Sequence, residues 1–97
     1  MGIREDAGKI LLFVYKKYIN EEYYLNTESI IKGTKLPAKR INSAITYLKD
    51  IGAIQITLFF GKTDGVYNFE IDGLTPRGID IVENKKKFKS IFGIREG

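Results

Sequence analysis

Helical and strand periodicities occupy separate blocks of this chain, which predicts an α+β domain, and three stretches carry the prediction. In residues 36 to 54, Leu-Pro-Ala-Lys-Arg-Ile-Asn-Ser-Ala-Ile-Thr-Tyr-Leu-Lys-Asp-Ile-Gly-Ala-Ile, the apolar Ile41, Ala44, Ile45, Leu48 and Ile51 recur at the three-and-four interval of a helix face. Residues 54 to 60 and 66 to 71 alternate instead, around the turn-like Lys62-Thr63-Asp64-Gly65, as a β-hairpin does. Leu74-Thr75-Pro76-Arg77-Gly78-Ile79 then reads as a helix cap followed by proline at the first helical position.

Taken in order, the first helix is expected from about Glu5 to Tyr18 or Ile19, with acids in its first turn and Lys16 and Lys17 in its last, as the helix dipole favours. Ala7, Ile10, Leu11, Val14 and Tyr18 form its core stripe, while Leu12 and Phe13 fall outside it and need a second covering surface. Tyr23-Tyr24-Leu25 is rich in strand formers, and Thr27 sits where a cap would open a short helix from Glu28 to Lys32, ended by Gly33. Pro37 biases Leu36 away from helical angles and so separates this helix from the next, predicted over about 37–51, with Gly52 as the left-handed residue beyond its end.

In the hairpin, pairing Gly61 with Val66 sets Phe60 against Tyr67, Leu58 against Phe69 and Ile56 against Ile71 on one face, leaving Phe59 on the other. In the last helix Ile79 and Val82 are expected to reach the core. Ile81, Phe88, Ile91 and Phe92 share a different face, so a continuation of that helix carries a second apolar stripe. Together with Leu12 and Phe13, these four are candidate homodimer-interface residues, because the chain has more apolar stripes than one small core needs; the alternative is that the last helix folds back on the first.

Ninety-seven residues bound a single domain, its core at about 5–83, with 84–97 as a basic helical extension or tail. The absence of cysteine and histidine removes disulfides, thiol nucleophiles, thiolate or imidazole metal ligands and the usual general base. Glu21-Glu22, Asp72, Asp80 and Glu83 lack catalytic partners at meaningful spacing, so neither an enzyme, a metal, a cofactor nor a small-molecule ligand is expected. The apolar run from Ile10 to Tyr15 is too short to span a bilayer, so a soluble cytoplasmic protein without membrane partners is the expectation.

The net charge of +4 resides in the last fourteen residues, chiefly Lys85, Lys86, Lys87 and Lys89, whereas residues 1–83 balance eleven positive charges against eleven negative. Within that neutral part, residues 29–49 hold Lys32, Lys35, Lys39, Arg40 and Lys49 with no acid. The field is therefore local to the helix at 37–51, whose apolar stripe turns Lys39, Asn42, Ser43, Thr46 and Asp50 outward with Arg40 and Tyr47 on the flank. An ordinary solvated helix face and a nucleic-acid-reading face both fit that composition.

The succession helix, short strand, helix, turn, helix, hairpin, helix resembles a winged helix-turn-helix domain of the small prokaryotic transcriptional regulator type. Leu25-Asn-Thr-Glu-Ser-Ile-Ile is similar to the usual entry to the second helix. Leu36 to Ile54 resembles the recognition helix with its closing Leu-x-x-x-Gly-x-Ile, and Leu74-Thr-Pro-Arg-Gly-Ile-Asp-Ile-Val-Glu83 the helix after the wing. The resemblance covers Leu25 to Glu83 and the first helix by pattern only. It implies a three-helix bundle with a hairpin wing and an additional C-terminal helix, sequence-specific binding of double-stranded DNA, the third helix in the major groove and the wing on backbone or minor groove.

On that resemblance, Lys39, Arg40, Asn42, Ser43, Thr46 and Tyr47 are the base-edge candidates and Lys62 and Thr63 the wing-tip contacts. Arg40 or Lys39 has the donors for guanine, Asn42 the donor–acceptor pair for adenine, and Ser43 or Thr46 suits base or phosphate. Lys32, Lys35 and Lys49 suit phosphates. Asp50 and the weakly charged wing mark the limits of that footprint. A winged domain serving only protein–protein interaction is the alternative, favoured by Phe59, and non-specific contacts through Lys85 to Lys89 a lesser one.

Overall fold

The computed structural model describes residues 2–63 and 65–93, with Phe60 and Thr63 as backbone only. Its helix α1 (Ile3–Ile19) starts two residues earlier than the acids of its first turn suggest, and buries Ala7, Ile10, Leu11 and Val14 as the stripe requires. No helix among the described residues is long and apolar enough to cross a membrane. Strand β1 (Leu25–Asn26) follows the exposed Tyr23 and Tyr24 rather than including them.

Helix α2 (Thr27–Thr34) is capped by Asn26, not Thr27: the Asn26 side-chain carbonyl accepts from the Ser29 N–H at 3.0 Å and its hydroxyl at 3.1 Å. The Thr27 hydroxyl is taken by the sheet, accepting from the Phe69 N–H and donating to the Tyr67 carbonyl, each at 2.9 Å. Nor does α2 stop at Gly33. It runs one residue further and ends on Lys35 in the left-handed conformation (φ 57°). Gly33 is there because the ring of Phe13 occupies the space a Cβ would need.

Helix α3 (Ala38–Asp50) begins one residue after the predicted start, with Pro37 as its cap rather than its first helical residue, and Gly52 follows its end at φ 74°. Ile41, Ala44, Ile45 and Leu48 are fully buried, and α1 is the helix most extensively packed against α3. Strands β2 (Ile54–Thr63) and β3 (Val66–Leu74) form the hairpin, and the antiparallel sheet has the order β1-β3-β2.

The inner register is the one that hides apolar side chains, with Ile56 opposite Ile71 and Leu58 opposite Phe69. The outer register differs: Lys62 faces Tyr67 and Thr63 faces Val66, displacing the expected Phe60–Tyr67 and Gly61–Val66 pairs. Between Leu58 and Lys62 strand β2 carries two residues more than β3 does, a bulge that Gly61 enters at φ 85°. Lys62 and Thr63 therefore belong to the strand rather than to the turn, and the chain reverses beyond them, where Gly65 takes φ 82°.

Thr75 caps helix α4 (Pro76–Glu83), accepting from the Gly78 N–H at 3.0 Å, with Pro76 at the first helical position. Gly78 lets α4 approach Ala53, whose carbonyl lies where a Cβ would sit. Instead of one continuing helix there are two. Asn84 leaves helical angles at φ −111°, ψ 102° and caps α5 (Lys85–Phe92) by accepting from the Lys87 N–H at 3.1 Å.

That break turns the second apolar stripe inward. Ile81 and Phe92 are buried in the same core, Phe88 and Ile91 pack half-buried against it, and both α4 and α5 lie on α1. With Phe13 over Gly33 and Leu12 half-buried, the residues expected at a dimer interface are largely used within one chain. The physical reason is the Asn84 corner, which folds the last helix back and covers the stripes that a straight extension would have left open.

Candidate functional site

A rotation of about 100° per residue, with Ile41, Ile45 and Leu48 inward, leaves Lys39, Ser43, Thr46 and Asp50 as the ridge of α3 farthest from the core. All four are exposed. The Thr46 hydroxyl donates back to the Asn42 carbonyl at 2.9 Å, and Ser43 stands between it and Lys39. Lys39 and Ser43 also line a concavity of about 430 Å³ with Gly2, Ile3, Asp6 and Arg40, where the start of α1 meets α3.

Arg40 is not on that ridge. Its guanidinium grips the buried Asp6 carboxylate with both oxygens, Nε at 2.8 Å and Nη2 at 2.6 Å, in the fork geometry that makes Arg–carboxylate pairs strong. The hydrogen bonds from Arg40 hold the Asp6 carboxyl below its ordinary range against the opposing effect of burial, and the Arg40 pKa is raised in return. Arg40, expected at a base edge, is thus engaged within the chain: this face of its fork secures α3 to α1.

Asn42 is likewise engaged within the chain. Its amide NH₂ donates to the Gly65 carbonyl at 2.8 Å and its side-chain oxygen accepts from the Tyr67 N–H at 2.9 Å. The donor–acceptor pair that would match adenine instead clamps the hairpin onto α3. Tyr47 leans half-buried towards α5, edge-on to Phe92 with ring centroids 6.5 Å apart, and is a packing residue here.

Lys32 pairs with Glu28 one turn earlier at 2.9 Å, raising the lysine pKa and lowering that of the carboxyl. Lys35, Lys39, Lys49 and Lys62 are exposed and make no ion pair among the described residues. The Lys62 ammonium lies 5.0 Å from the Tyr67 ring centroid. The Thr63 side chain lies outside the described residues.

Of the predicted set, the structure thus brings Lys39, Ser43 and Thr46 together on one exposed face, with Lys35 before it and Lys62 on the adjoining hairpin. No known family, curated protein or solved structure matches this chain. Two participants escaped the sequence reading. Asp6 looked like one more acid in a first helical turn, and nothing local marks the Gly65 carbonyl as a clamp point.

Proposed function

We propose that the chain is a winged helix-turn-helix protein that binds double-stranded DNA sequence-specifically, as a small transcriptional regulator would. The observation that carries this reading is the exposed Lys39-Ser43-Thr46 ridge of α3, beside a hairpin fixed to the same helix by Asn42. Helix α3 enters the major groove by this ridge, with Lys39 the donor for guanine and Ser43 and Thr46 contacting bases or phosphates. Lys35 and Lys49 take phosphates, and Lys62 carries the hairpin's contact with the backbone. The sheet order β1-β3-β2 and the α2–α3 pair support the winged assignment.

Binding to random and selected duplexes across a salt series tests the proposal. The expected result is recovery of a preferred sequence and a log-log slope of about −0.9 per neutralised phosphate, hence about −2.7 for Lys35, Lys49 and Lys62. Absence of binding to any duplex at low salt would overturn it. A second reading, a protein-interaction module, is favoured by Leu58 and Phe59, which remain exposed on the hairpin. Recovery of an inverted repeat would in addition establish the homodimer, for which the apolar stripes of α4 and α5 no longer argue.

A further inference from the structure

We propose that the outer edge of the hairpin is a pocket for an unpaired nucleobase, stacked against Phe59 and Tyr67 with its adjoining phosphate on Lys62. The inference rests on the DNA-binding reading and narrows its target to DNA in which a base is out of the stack. Strand β2 is an edge of the sheet, and the two extra residues between Leu58 and Lys62 bow it away from β3. Leu58 and Phe59 stand on that bow 44% and 53% exposed. With Gly61, Lys62 and Tyr67 they enclose a mainly apolar concavity of about 250 Å³.

The lining matches the chemistry of a base and its phosphate. Aromatic rings offer a stacking surface that any base can use, and an ammonium beside the ring supplies the countercharge for the sugar–phosphate chain. The exposed Phe59 ring meets the first need and Lys62 the second, its ammonium over the Tyr67 ring at 5.0 Å from the centroid and without an ion pair among the described residues. The Asn42 clamp and the approach of Gly65 to Ala38 hold the hairpin at the start of α3, beside Lys35 and Lys39. A base paired within a duplex cannot present its face, so the occupant is unpaired.

A second copy of the edge strand fits less well. Continuous ladder pairing needs a regular strand, and the register shift between Leu58 and Lys62 interrupts it, while Lys62 guards its outer end. The test uses the full chain and three DNAs of one sequence: a perfect duplex, the same duplex with one unpaired 2-aminopurine, and a short single strand carrying it. Wild type should bind the bulged duplex at least tenfold more tightly than the perfect one and quench the 2-aminopurine.

Phe59→Ser, at an exposed position, should abolish the quenching and the preference while leaving perfect-duplex affinity unchanged. Equal affinity for perfect and bulged duplex without quenching overturns the pocket and leaves the duplex reading standing. Loss of all duplex binding overturns that reading instead. Sedimentation of both proteins supplies the last outcome: a wild-type dimer that Phe59→Ser dissolves assigns the edge to a second copy and overturns the pocket.

Discussion

Removing the Arg40 guanidinium would leave Asp6 buried at the start of α1 with its strongest hydrogen-bond donor gone. In wild type the carboxyl titrates below its ordinary value, so its stabilising contribution is complete above about pH 4 and is lost as pH falls through the lower folded value. In Arg40→Met burial becomes the stronger influence, opposed by the weaker field of Lys9, and the Asp6 pKa should rise above its unfolded value. The sign then reverses. The variant should gain stability as pH drops from 7 towards 4, where wild type is level, which thermal unfolding against pH and an NMR titration of the Asp6 carboxyl would detect; an unchanged Asp6 titration would refute the pairing.

Asn42 makes a parallel case, because truncation to Ala leaves the Tyr67 N–H and the Gly65 carbonyl without this partner. The expected cost is about 1–2 kcal/mol, with faster hydrogen exchange at the Tyr67 amide than at amides of α1. On the proposed DNA-binding reading, affinity should fall through loss of the fixed hairpin and not through loss of one base preference. Sequence selection with the variant separates these, since a direct adenine reader would relax specificity at one position of the recovered site.

At the scale of elements, periodic stripes located α1, α3 and both hairpin strands, and cap signals located α2 and α4, because burial on one face and helix starts are written into consecutive residues. What they did not disclose depended on distant partners. Asn26 and Thr27 are both competent caps, and the choice falls on Asn26 because β3 uses the Thr27 hydroxyl. The hairpin's outer register slipped because alternation alone does not reveal a two-residue bulge. Helix α5 was hidden for another reason: its first turn, Lys85-Lys86-Lys87, opposes the helix dipole, and only the Asn84 cap favours a start there. Replacing Lys86 by Glu should stabilise the chain by about 0.5 kcal/mol at low salt and less at high salt, as thermal melts at the two ionic strengths would report.

For the whole molecule, the residue types of the candidate face were legible but their duties were not. Arg40 and Asn42 are the best base readers by chemistry, yet their partners lie 34 residues before Arg40 in Asp6, and 23 and 25 residues after Asn42 in Gly65 and Tyr67. Local pattern carries no record of such pairings. What remains for the proposed DNA contact is the plainer Lys39, Ser43 and Thr46, supported from behind by groups that hold α3 in place.

Phe92 is the most distant of those supports and the one that makes the C-terminal helix part of the fold. It is 1% exposed, lies edge-on to Tyr47 of α3, and contacts Phe88 at 4.9 Å between centroids, while α5 as a whole packs on α1. If α5 were an appendage, truncating this ring would loosen it and leave the rest intact. Because the ring joins the core of α3, Phe92→Ala should instead destabilise the entire chain, by about 3 kcal/mol. For a domain of this size that corresponds to a fall in Tm of roughly 12–20 °C. The melts followed by far-UV circular dichroism and by tyrosine fluorescence should coincide, as a single cooperative unit requires. Two separated transitions, the earlier one confined to residues after Asn84, would show that α5 docks on a core already complete without it, and that Tyr47 is held by α3 alone.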